Sequence, residues 1–89
     1  MKPNYLPDAL IVAYIAARRT ERTLDQTTLL ARQWRDRVSS ASQDGDDLLA
    51  AEALQQAQHY HTTIANLRAL LADQEHKVAS LQLAYGDSD

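Results

Sequence analysis

The 89-residue chain has no cysteine and no phenylalanine, and only two glycines and two prolines. Without cysteine there is no disulfide framework, no thiolate nucleophile and no thiolate metal site, and the cytoplasm is the default compartment. A long hydrophobic run is missing too. The most apolar stretch, Ala9–Ala17 (ALIVAYIAA), has nine residues, too few to span a bilayer. A secretory leader would need a basic stretch before that run and a small-residue cleavage site after it. Here Pro7 and Asp8 precede it and Arg18-Arg19 follow, so no leader is expected.

What is present is the composition of a helix former. Ala, Leu, Gln and Arg take the place of Val, Phe and Gly. Apolar residues make up 45 % and charged residues 24 %, ordinary values that disfavour disorder. The length allows one domain. The net charge of −3 hides an asymmetry. Residues 1–43 hold seven Lys/Arg and four Asp/Glu, whereas residues 44–89 hold two and eight. A basic half is followed by an acidic half. If the halves lie side by side their fields attract, with each exposed pair worth only about 0–1 kcal/mol.

Apolar or small residues recur at alternating spacings of 3 and 4. The first string is Leu10, Ala13, Ala17, Thr20, Leu24, Thr27, Ala31, Trp34, Val38 and Ala41. The second is Ala50, Ala53, Ala57, Tyr60, Ile64, Leu67, Leu71, Gln74, Val78, Leu81 and Tyr85. Each is the seam of a coiled coil, and each runs for more than four heptads. Gln74 is its only strongly polar member.

Between the strings lies SSASQDGDD, residues 39–47. Gly45 can take the left-handed conformation that ends a helix, and Asp46 or Asp47 can cap the next one. Pro7 suits a first helical turn, and Asp8 puts negative charge near the positive helix end. The pattern predicts an all-α antiparallel coiled-coil hairpin. Helix 1 covers about residues 7–42, the tip 43–46, helix 2 about 47–85 and a frayed tail 86–89. Arms of roughly 35–40 residues are ~50–60 Å long.

A two-helix hairpin buries one stripe per helix, so the leftover apolar residues matter. Ile11, Ile15, Leu29, Leu30, Leu48, Leu49, Leu54, Leu70 and Leu83 fall outside the seam. Some widen the stripe. The rest predict that hairpins pair with each other or with a partner helix, with Leu29, Leu30, Leu49, Leu54 and Leu70 as the partner surface.

Trp34 is expected to pack between the arms opposite Ala50–Ala57; the alternative is an exposed partner anchor, a role Trp favours. Arg18, Arg19 and Arg22 form one basic cluster and Arg32, Arg35 and Arg37 another. They read as a solvated face with ion pairs to the acidic arm, and nucleic acid is disfavoured by the negative net charge. His59 and His61 are two apart and on different helix faces, and His76 is out of their reach, so no metal is expected. Ser39, Ser40 and Ser42 have no histidine nearby in sequence. The acidic residues around Gly45 lack the spacing of a calcium loop. No catalytic or cofactor-binding set is found, and a two-helix rod offers no concave pocket.

Three segments together resemble the central hairpin of the phage shock protein A family, which is related to the ESCRT-III superfamily. They are Arg18–Leu24 (RRTERTL), Trp34 with Arg35–Ala41, and Asp47–Leu54 (DLLAAEAL). The basic segment, the Trp, and a return helix opening on an acidic-Leu-Ala stretch follow in the family's order. The string from Ile64 to Leu81 is similar to the return arm. The resemblance implies a truncated relative with a non-enzymatic role in interaction and assembly, in the bacterial or cyanobacterial cytoplasm. It would self-associate, bind longer family members, or bind an AAA+ regulator of the stress response. The family's membrane-lying first helix has no counterpart in residues 1–8, so the resemblance implies contact with the inner membrane only through partners. Two rivals from other classes are a helical chaperone or adaptor of a secretion or phage system, and a dimeric RNA-binding hairpin.

Overall fold

A computed structural model describes residues 5–86 of the chain. It consists of two helices, α1 (Tyr5–Gln43) and α2 (Asp47–Gly86), packed against each other as an all-α hairpin. The rod measures 70 × 15 × 13 Å. α1 starts two residues before the expected boundary, so Pro7 sits in its first turn, where its missing N–H costs no helical hydrogen bond. Gly86 is the last residue of α2. The rest of the expected tail, residues 87–89, and Pro3 lie outside the described residues.

The turn has a full set of capping bonds. Gly45 has φ +74°, the left-handed region. The Asp46 N–H donates to the Ala41 carbonyl at 2.9 Å and the Gly45 N–H donates to the Ser42 carbonyl at 3.2 Å. These are the two bonds of a Schellman motif, which satisfies carbonyls that the end of α1 would leave unpaired. Asp46 then opens α2. Its Oδ1 accepts from the Leu49 N–H at 3.1 Å, and its carbonyl accepts from the Ala50 N–H at 3.0 Å. One residue therefore finishes the first helix and caps the second, which fixes the reversal within three residues, 44–46.

The grooves between the arms reveal the register. Ala13 shares a groove with Leu81, and Ala41 shares one with Ala53. As α1 advances from 13 to 41, its partner on α2 retreats from 81 to 53, so the arms run antiparallel and in step. Every residue of both heptad strings is buried or half-buried. Elsewhere between residues 8 and 85 only Ala16, Glu21, Thr28 and Thr63 are half-buried, and all four flank the seam.

The deepest layers are made of small side chains. Among the described residues the buried hydrophobic ones are Ala13, Ala17, Ala31, Ala41, Ala53, Ala57 and Ile64, and no large side chain is fully buried. Alanine lets the two backbones approach, but each methyl contributes only about 0.8 kcal/mol on burial. Thr20 and Thr27 are also buried. Their hydroxyls donate to the carbonyls of Ala16 at 3.1 Å and Thr23 at 2.7 Å, one turn back in the same helix. A threonine bonded in this way presents mainly its methyl to the seam. Gln74 has no such solution: its Oε1 is buried without a hydrogen-bond partner among the described residues.

Candidate protein-interaction surface

With the seam at heptad positions a and d, the remaining positions divide the rod into two flanks (e and g) and an outer face on each helix (b, c and f). Large apolar residues are exposed on all of them. On the g flank lie Leu30, Leu49 and Leu70, exposed by 39 %, 50 % and 47 %. Leu54 lies on the opposite, e flank. Leu29 lies on the outer face of α1. The five residues expected to form one partner surface thus occupy three faces, and only Leu30, Leu49 and Leu70 share one.

The g flank also holds a groove of about 440 Å³ near the tip. Trp34, Ala41, Leu49 and Ala53 supply its apolar lining, with Arg37, Asp44 and Glu52 on it as well. Trp34 is half-buried. One side of its ring system is covered by the Arg37 guanidinium, 4.5 Å from the ring centroid. This cation–π contact holds a large side chain at the groove wall. Trp34 thus combines the two expected situations: it belongs to the seam and also lines an open groove.

A second cluster lies toward the open end of α1. Ile11, Val12, Tyr14 and Ile15 are all large, apolar and exposed. Tyr14 and Ile15 line a groove of about 460 Å³ with Arg18, Arg19 and Arg22. The Arg18 guanidinium stands 5.9 Å from the Tyr14 ring centroid and donates to the Tyr14 hydroxyl at 3.4 Å. Val12 and Tyr14 do not stand out in the sequence, because they sit within a plain apolar run. Projecting that run onto the heptad places them at c and e, outside the seam.

The expected ion pairs between the basic and acidic arms do not form among the described residues. The reason is positional. Arg19, Arg22 and Arg32 occupy outer positions that point away from α2, and Arg37 turns to the Trp34 ring. Arg18 lines a groove with Glu75 of α2, but its guanidinium is engaged by the ring and hydroxyl of Tyr14. The charges of each arm remain available to other molecules.

The histidines are exposed, and His59 packs edge-on against Tyr60 with ring centroids 5.3 Å apart. Among the described residues no three His, Cys, Asp or Glu side chains gather as a metal site, and no helix is long and apolar enough to cross a membrane.

Comparison with known proteins agrees with this geometry. No curated protein and no solved structure matches the chain. The model of the PspA/IM30 family matches residues 6–87, which takes in both helices and the turn. The chain therefore belongs to the PspA/IM30 family.

Proposed function

We propose that the hairpin is a non-enzymatic assembly module that self-associates along its g flank, through Leu30, Leu49 and Leu70. One observation carries this reading. A rod whose deepest layers are alanine leaves half of each of these leucines in water, on one continuous side. Pairing flank to flank would bury them and complete a four-helix layer that two helices cannot enclose. The same flank would serve for binding other members of the family or an AAA+ regulator, which the family resemblance implies. The surroundings would be the bacterial cytoplasm, with the inner membrane reached through such partners.

The test compares two double substitutions by sedimentation velocity and circular dichroism. L30D/L70D is expected to yield a monomer with unchanged helicity. L29D/L54D, on other faces, is expected to leave association intact. If L30D/L70D associates like the unaltered chain, the g flank is the wrong surface.

A further inference from the structure

The tip of the rod and the outer face of α1 toward the open end carry clusters of opposite charge, each beside exposed apolar side chains. At the tip, residues 44–52 hold Asp44, Asp46, Asp47 and Glu52 and no basic residue. Among them stands Leu48, the most exposed large hydrophobic residue of the described chain at 73 %. Asp46 is committed to capping α2, and this holds Leu48 on a rigid first turn. Toward the open end, Arg18, Arg19 and Arg22 share an outward groove with Tyr14 and Ile15. Glu21, half-buried beside them, is the one acidic residue in that stretch. Arg18 also lines the adjoining groove with Glu21 and, from α2, Glu75, while Arg19 and Arg22 line the outward groove.

We infer that the acidic tip of one copy docks into the arginine groove of the next, with Leu48 seated against Tyr14 and Ile15. The inference rests on the self-association proposed above and adds a second, end-directed contact to it. Three points favour a second copy as the occupant. The two patches match in both respects, acidic with basic and apolar with apolar, and such complementarity selects partner and orientation. A chain cannot satisfy its own groove, because about 30–45 Å of continuous helix separates the patches. Pairing tip with tip or groove with groove would bring like charges together. The contact therefore joins different surfaces, and a joint of that kind repeats from copy to copy. Flank pairing alone would give closed pairs, whereas the end joint extends them into a filament.

The experiment reverses charge at each end. D44K/D47K/E52K makes the tip basic while sparing the Asp46 cap. R18E/R19E/R22E makes the groove acidic. Each variant alone, checked for helicity by circular dichroism, is expected to lose extension and sediment as one small species at all concentrations. Mixing the two restores opposite charges at every joint, so the mixture is expected to extend again. Damage to the fold would not be repaired by mixing. Added salt should shorten the filaments of the unaltered chain, since exposed charge contacts are screened.

Variants that extend alone as the unaltered chain does, or a mixture that fails to extend, would overturn the end joint while leaving the flank reading in place. A monomeric unaltered chain would overturn both. Binding to anionic phospholipid vesicles that is lost in R18E/R19E/R22E, with filament length unaffected, would assign the groove to lipid and overturn the joint.

Discussion

The tip half and the open half of the rod use the same seven-residue repeat but fill it differently. In the tip half, Ala41, Ala53 and Ala57 are exposed by only 3 %, 1 % and 7 %. In the open half Ala13 and Ala17 are sealed as well, at 7 % and 5 %, but most of the seam is Leu10, Leu24, Leu71, Val78 and Leu81, which are larger and more apolar and all half-buried. Two helices seal a layer of methyl groups between them more readily than they surround a leucine, and among the described residues Ile64, at 7 %, is the one large apolar side chain they bury. In a hairpin, then, the residues with the most apolar surface are not the most deeply buried. The tip half also has its turn, where two Schellman bonds and an aspartate cap act locally. The open half has only the seam, interrupted by the unpartnered oxygen of Gln74.

Substitution at matched positions should expose this difference most strongly. Ala53→Asp places a carboxylate where 1 % of the residue is exposed, and is expected to cost about 3 kcal/mol or more. Leu81→Asp, at a half-buried site, should cost less because its carboxylate can reach water. Urea unfolding of both variants measures the two losses. Equal losses would mean that both halves are sealed alike.

The turn should come next. Gly45 has open space where a Cβ would lie, so the strain of a side chain there comes from φ alone. Gly45→Ala is expected to cost about 1–2 kcal/mol, and Asp46→Ala about 1 kcal/mol through loss of the cap. Thermal melts of the two single variants would register this. A Gly45→Ala protein as stable as its parent would show that the left-handed turn does not close the hairpin.

The smallest effect is expected in the open half, with opposite sign. Gln74→Leu removes a buried acceptor that lacks a partner and should raise stability by about 1 kcal/mol. A loss of stability in the same melt would indicate that the amide is satisfied and helps to set the register.

Much of the fold was legible because periodicity is a local signal. The alternation of 3 and 4 placed Trp34, Ile64 and Val78 on their seams without any knowledge of the partner helix. Gly45 stood out as the only break between two uninterrupted patterns. Asp46 and Asp47 suit the capping of α2 equally by their chemistry, and only the backbone path decides for Asp46. The interaction surface was less legible. Leu29, Leu30, Leu49, Leu54 and Leu70 look equivalent as leftover leucines, but steps of about 100° per residue carry them to three faces. The absent ion pairs have the same origin. Net charge of an arm says nothing about which side of the helix the charges occupy. The grooves beside Trp34 and Tyr14 depend on side chains from neighbouring turns or from both arms, which a one-dimensional reading cannot bring together.

The assembly reading can be tested without altering the chain, because Trp34 is its only tryptophan and sits half-buried in the g-flank groove. Its fluorescence should be followed together with light scattering as concentration is raised. If the flank is the interface, the emission shifts to the blue and acrylamide quenching falls as scattering grows. Scattering that grows while Trp34 emission stays constant, or that never grows at all, would contradict it.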